Sequence, residues 1–252
     1  MKTILLSGPG KNLLSTEVMQ RTLAAVREAG DEPLLVTGEG DAFCAGLNLK
    51  EVASLDVAAS GERDVLAIAL DVTDPDALAG AAARIRAELG APTALVNAAG
   101  VFPPSTLETV TVDLYRRVFD INVLGTLLAT QAFAPQMADG GAIVNFSSIN
   151  AFQPSSGQLL YCAAKAAIVQ LTRSLALELG PRLRVNALAP GWVDTPGTQA
   201  NERLAAAISR IPLGRAATPE EMADLVYLLA GEGRALYMTG ETVVASGGLV
   251  MR

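Results

Sequence analysis

The sequence predicts a single α/β domain built on a doubly wound parallel sheet of about seven strands, with helices on both faces. Three observations predict it. Short apolar runs alternate with longer helical stretches in a βαβαβ order from the first residues onward. Half of the residues are hydrophobic and only 4% are aromatic, a balance suited to buried parallel strands packed by Ala-rich helices. Finally, 252 residues make one well-filled domain, whereas dividing them would leave pieces with poor cores.

The elements follow in order. A strand is expected at 3–7, then a helix at 15–29 with Ser15 as its N-cap. A strand at 33–37, a helix near 44–55 and a strand at 65–70 come next. Ala94-Leu-Val-Asn97 reads as an apolar strand that ends in the small-residue turn Ala98-Ala-Gly100. Long helices span 111–135 and 158–179, with a strand between them at Ile143-Val-Asn-Phe-Ser147-Ser148. A strand from Leu183 and a last one inside Gly240–Gly248 close the sheet. Both long helices carry small and apolar residues on more than one face, among them Leu127, Leu128, Ala129, Ala163, Ala164 and Val169. One face suits the sheet and the other a second subunit, so a homotetramer or homodimer is expected.

The chemistry concentrates in Tyr161-Cys-Ala-Ala-Lys165, with Ser148 thirteen residues before the tyrosine. Residues i and i+4 share a helix face, which puts the Lys165 ammonium beside the Tyr161 phenol. A free phenol titrates near ~10, too high for a general base at neutral pH. An adjacent cation favours the phenolate and lowers that value. Ser148, at a strand end facing the helix, holds the oxygen of a carbonyl or alcohol while Tyr161 moves its proton. Gln158, one turn before the tyrosine, faces either substrate or water. Cys162 reads as a small packing residue, and Asn186 as a side chain that satisfies strand-end backbone groups.

Taken with Asn97-Ala-Ala-Gly100, Asp120-Ile-Asn122-Val, Val185-Asn186-Ala-Leu-Ala-Pro190-Gly191 and Ile211-Pro-Leu-Gly-Arg215, residues from about 65 to 252 closely resemble the short-chain dehydrogenase/reductase family. The resemblance implies a Rossmann-like fold and an NAD(P)-dependent oxidoreductase that interconverts a ketone and a secondary alcohol. It makes Tyr161 the acid/base, Ser148 the substrate-orienting residue and Lys165 the partner that lowers the tyrosine pKa and holds the nicotinamide ribose. Asn122 stabilises a kink that positions a water. Asn97, Ala98 and Gly100 line the adenosine-ribose side of the cofactor cleft, Asp71 and Val72 flank the adenine, and Pro190, Gly191, Val193 and Thr195 line the nicotinamide end. The stretch from Ile211 to Glu221 especially resembles 3-oxoacyl-thioester reductases, and residues 195–210 read as a substrate lid with a moderately apolar lining.

The first residues depart from that family, whose members begin with a strand and a Thr-Gly-x-x-x-Gly-x-Gly turn. Such glycines let the backbone approach the pyrophosphate. After the strand at 3–7 come Gly8-Pro9-Gly10-Lys11, and alignment from Gly8 puts Asn12 and Leu14 where the later glycines belong. Gly8 and Gly10 remain as candidate cofactor contacts. Lys11 and Glu39 pull in opposite directions on the choice between NADP and NAD, which stays open. Residues 1–56 also resemble the start of a crotonase, through Leu34-Leu-Val-Thr-Gly38 and Gly40-Asp-Ala-Phe-Cys-Ala-Gly-Leu47. The crotonase resemblance makes Leu47 one oxyanion-hole donor, yet the second donor and the carboxylates do not follow. The alternative function is therefore a non-catalytic, dehydrogenase-shaped subunit that has lost nucleotide binding.

Composition excludes other chemistries. The absence of His rules out Ser-His-Asp and Cys-His catalysis and, with two cysteines, argues against a zinc site, so no metal is expected. Sparse Cys44 and Cys162 fit a reducing compartment. The start leads straight into a strand without a signal peptide, and no apolar run is long enough for a membrane span. A net charge of −7 argues against nucleic acid as a partner. The expectation is a cytoplasmic enzyme acting on a small carbonyl or alcohol.

Overall fold

The computed structural model describes residues 3–7, 34–37, 65–195, 198, 203–231 and 233–251, with the backbone alone at 3–7, 34–37, 65–67, 69 and 203. The expected helices at 15–29 and 44–55 lie outside these residues, as do Gly8, Gly10, Lys11, Glu39, Cys44 and Leu47. Seven strands form one sheet: β1 (Thr3–Ser7), β2 (Leu34–Thr37), β3 (Val65–Ala69), β4 (Ala94–Asn97), β5 (Ala142–Phe146), β6 (Arg184–Pro190) and β7 (Thr242–Ala245). Every pairing is parallel, and the order is β3-β1-β2-β4-β5-β6-β7.

That order has a consequence for the cleft. In open α/β sheets, ligands bind outside the carboxyl ends of strands where the winding reverses. Here the reversal falls between β2 and β4, whose last residues Thr37 and Asn97 are register partners. The strand end at the reversal is thus Thr37. Ser7, followed by Gly8 and Gly10, ends a strand one place further out.

Successive side chains along a strand point to opposite faces, and the core divides accordingly. Leu95, Ile143 and Val185 meet Leu78 and Ile85 of α1 (Pro75–Leu89), Phe133 of α3 (Gly125–Phe133) and Leu175 of α4 (Leu159–Leu179). On the other face Ala94, Val96, Val144 and Leu188 pack against Met222, Val226 and Leu229 of α6 (Pro219–Ala230). α5 (Arg203–Ile208) precedes α6. Helices therefore cover both faces, as the patterning predicts.

The helix expected as one piece over 111–135 is interrupted. α2 (Val112–Phe119) starts at Thr111, whose side chain accepts from the Leu114 amide at 3.1 Å. A π-helical turn over Asp120–Leu124 follows, then α3 and a 3₁₀ turn over Ala134–Gln136. Asn122 causes the irregularity: its Nδ2 donates to the Val118 carbonyl at 2.9 Å, and the Gly125 amide reaches back five residues to Asp120. Of the residues expected to face two ways, Ala129, Ala164 and Val169 are buried, whereas Leu127 and Ala163 stay exposed. Among the described residues, no helix is long and apolar enough to cross a membrane, and no group of three His, Cys, Asp or Glu gathers as for a metal.

The start of α6 carries a testable cap. Thr218 Oγ1 accepts from the Glu221 amide, while Glu221 accepts from the Thr218 amide at 2.8 Å and from both Arg215 nitrogens at 2.7 and 2.6 Å. These donors, Arg215 first and then the Thr218 amide, hold the Glu221 carboxyl at about 2, below its ordinary 4.5. A depressed carboxylate stabilises the fold above its unfolded pKa, and that contribution is lost as pH falls through the folded one. The Tm difference between the wild type and Glu221→Gln is therefore expected to be present at pH 6 and to fade between pH 4.5 and 2. It stays small throughout because the pair is exposed. Thr218→Ala, which removes the cap, is expected to cost about 1 kcal/mol in denaturant titrations.

Candidate active site

The site forms at the carboxyl ends of β4, β5 and β6, where three elements deliver four side chains. β5 ends in Ser147-Ser148. Ser148 is buried and its hydroxyl accepts from the Asn150 amide at 3.2 Å, which fixes the residue at the start of a short 3₁₀ turn. The first turns of α4 present Tyr161 and Lys165, both about 95% buried. The Lys165 Nζ lies 5.7 Å from the Tyr161 ring centroid and donates to the Phe146 carbonyl at 2.9 Å. Ser147 ties the same helix down by donating to the Lys165 carbonyl at 2.9 Å. The i, i+4 pair thus meets on one face as its spacing predicts.

Asn122, fully buried in the π turn, brings the third element. Its Nδ2 spans the carbonyls of Val101 and Val118, both at 2.9 Å, so the amide bridges the β4 exit loop to α2. Its Oδ1 is buried and accepts no hydrogen bond. Gly100 lies against it: a Cβ there would stand 2.8 Å from Asn122 Oδ1 and 3.3 Å from Lys165 Nζ. Real Cβ atoms do not approach an oxygen so closely, so Gly100→Ala is expected to displace the Asn122 carboxamide and the lysine head together. A loss of about tenfold or more in kcat/KM with retained secondary structure would show it; unaltered kinetics would mean that the loop relaxes instead.

Below these groups runs a buried polar layer. Asn97 donates to Asn145 at 2.9 Å and to Thr130 at 3.1 Å, and Asn145 donates to Thr172 of α4 at 3.0 Å. Thr130 and Thr126 in turn donate to the carbonyls of Thr126 and Asn122. Two register partners on adjacent strands therefore join both site helices through satisfied donors, which fixes the helices' heights on the sheet.

A cavity of about 560 Å³ opens above the site, with Ser148, Tyr161 and Gly191 in its walls. Phe102 and Trp192 line it as well, Phe102 packing edge-on to Tyr161 at 5.9 Å. The lid stretch contributes Thr198, Ala206, Ala207 and Arg210, and Gln158 faces the same space. Other expected site residues sit elsewhere. Val72 is buried in the core beneath Gly125, and Asp71 is exposed, accepting from the Thr73 amide and hydroxyl at 2.8 Å. Val193 pairs with Ala217, and Thr195 bonds Thr198. Ala98 and Pro190 are buried at the ends of their strands. Asn186 satisfies backbone groups, donating to Met238 and accepting from Glu241. Phe102, Trp192 and Arg210 join the site without a sequence motif to mark them: each comes from a different loop and carries no periodic signal.

Sheet, crevice and Ser-Tyr-Lys-Asn group together define a dinucleotide-fold oxidoreductase. A family model described as enoyl-(acyl carrier protein) reductase matches residues 42–250, and the chain belongs to the short-chain dehydrogenase/reductase family. An uncharacterised oxidoreductase of Methylorubrum extorquens is 42% identical over 163 residues, which span 62% of this chain and 64% of that relative, just under two thirds of its length. A 3-oxoacyl-acyl-carrier-protein reductase of Thermotoga maritima is 36% identical over 72% of this chain and 76% of its own. A Xanthobacter autotrophicus relative named inactive 2-(S)-hydroxypropyl-CoM dehydrogenase 2 is 36% identical over 90% of this chain and 97% of its own. Among solved structures, a blue fluorescent protein from a metagenomic library in complex with NADPH has a TM-score of 0.81 at 28% identity, covering 98% of both chains. The family match begins inside the stretch that resembles a crotonase, and the crotonase reading of residues 1–56 gains no support from these relatives.

Proposed function

We propose that this chain is an NAD(P)-dependent reductase or dehydrogenase that interconverts a ketone and a secondary alcohol, with Tyr161 as general acid/base. The observation that carries the reading is the convergence of Ser148 and Tyr161 on one cavity wall, with Lys165 seated behind the tyrosine. A bound nicotinamide cofactor supplies or takes up the hydride. Ser148 orients the substrate oxygen, Tyr161 gives it a proton or removes one, and the Lys165 ammonium favours the phenolate between turnovers. The unpaired Asn122 Oδ1 offers an acceptor for a water behind the lysine, and the space that Gly100 leaves beside it keeps that position open. These residues fit the nicotinamide half of a cofactor. The apolar walls and the 3-oxoacyl-reductase relative favour an oxoacyl or similarly apolar ketone as substrate.

For the pyrophosphate half, the sheet order favours the chain that follows Thr37 over Gly8 and Gly10. Aligned from Thr37, the Thr-Gly-x-x-x-Gly-x-Gly pattern reads Thr37-Gly38-Glu-Gly-Asp-Ala42-Phe-Cys44. Ala42 and Cys44 are small where Asn12 and Leu14 are not. Calorimetric titration of NADPH and NADH into the wild type, Gly8→Val and Gly38→Val tests this. Micromolar binding that Gly38→Val weakens about tenfold and Gly8→Val spares is the expected result; the reverse pattern returns the turn to Gly8.

The second reading, a non-catalytic subunit, draws on the relative named inactive and predicts no binding of either nucleotide up to millimolar concentration. The exposed Leu127 and Ala163 on the site helices suit a second copy of the chain, so a cytoplasmic dimer or tetramer is the proposed assembly. A monomeric mass by light scattering would count against it.

A further inference from the structure

We propose that Arg210 selects substrates bearing an anionic group, making the cavity a site for oxo or hydroxy compounds with an oxyanion at the end remote from the reacting carbon. This rests on the reading of the cavity as the substrate site. Among the described residues that line it, Arg210 alone carries a formal charge at neutral pH, and no carboxylate stands opposite. The rest of the lining is apolar or neutral and polar. Arg210 is exposed to solvent at the cavity, where a lone cation attracts an anion and steers it inward. The surrounding chain, at a net charge of −7, repels one; the arginine is thus a local exception in the cavity.

The backbone beneath it is fixed. The Arg210 amide donates to the Ala207 carbonyl at 2.9 Å, the Ile211 amide donates to Ile208 at 3.1 Å, and Ile211 itself is buried against Gly247. The guanidinium therefore hangs from an anchored turn after α5, and no ion pair to it is formed among the described residues. A planar donor fork suits the two oxygens of a carboxylate or phosphate. On the Tyr161 side, Gln158 also lines the cavity, and its Oε1 is buried and accepts no hydrogen bond.

Two sources of the oxyanion are chemically equivalent at the arginine: the carboxylate of a small oxo acid and the phosphate of a phosphopantetheine thioester. Calorimetry on the full chain separates them with two matched pairs. One pair is 5-oxohexanoate and its methyl ester; the other is acetoacetyl-phosphopantetheine and acetoacetyl-pantetheine. The charged member of one pair is expected to bind about tenfold or more tightly than its neutral partner, with Arg210→Met abolishing the preference and Arg210→Lys keeping part of it. The preferred pair names the source. Equal binding within both pairs, or a preference that survives Arg210→Met, overturns the proposal. Because the readout is binding, it stands apart from turnover. A protein that binds the anion through Arg210 but reduces nothing would sink the dehydrogenase reading and leave this one intact. Initial rates complete the test: Arg210→Met is expected to raise KM for the charged substrate more than it lowers kcat.

Discussion

Tyr161→Phe is expected to lower kcat/KM by about 10²- to 10⁴-fold, the usual worth of a positioned acid/base, while the fold survives. The ring is about 95% buried and packs edge-on to Phe102 at 5.9 Å. Phenylalanine keeps that volume and contact, so the substitution removes little besides the hydroxyl. Lys165 has anchors of its own, its Nζ on the Phe146 carbonyl and its own carbonyl on Ser147, and both persist when the tyrosine oxygen is removed. Cofactor affinity and Tm are therefore expected to stay near the wild type when measured beside the rate. A rate within threefold of wild type would remove Tyr161 from the proton step. A collapsed Tm would instead show that the hydroxyl has a structural share and would call for Ser148→Ala as the cleaner probe of the same oxygen.

The grouping of Ser148, Tyr161 and Lys165 was legible because its information is local. Tyr161 and Lys165 are one turn apart on a helix, Ser148 ends an apolar strand, and both relations survive whatever the rest of the chain does. The sheet order was not legible. β1 and β2 are both short apolar runs, and a strand–helix–strand pattern does not say on which side of the first strand the second will lie. Order was decided by pairing, with Thr37 beside Asn97, and it is the reason for proposing the chain after Thr37 as the cofactor turn. The crotonase resemblance gained no support for a related reason: Phe43 to Lys50 is one short small-residue passage, and so local a likeness can recur among unrelated folds. The cavity was partly legible: Ser148, Tyr161 and Gly191 sit in named motifs, whereas Phe102, Trp192 and Arg210 meet only in three dimensions.

Replacing Asn122 with Leu is expected to show why the helix at 112–133 is broken where it is. The carboxamide donates to two carbonyls, Val101 and Val118, at 2.9 Å each, in a place of zero solvent exposure. Leucine has nearly the same shape and no donor. Both carbonyls would lose their side-chain donor, and each such loss at a buried group costs about 1–3 kcal/mol. A total of about 2–6 kcal/mol lowers Tm by roughly 4–24 °C in a domain of this size. The same change removes the Oδ1 that lies beside Gly100 and Lys165, so activity is expected to fall further than the lost stability explains at temperatures well below Tm. Two causes then separate by experiment. If Asn122 only holds the π turn, activity at 15 °C should recover with the folded fraction. If its oxygen also serves the site, the folded variant stays slow.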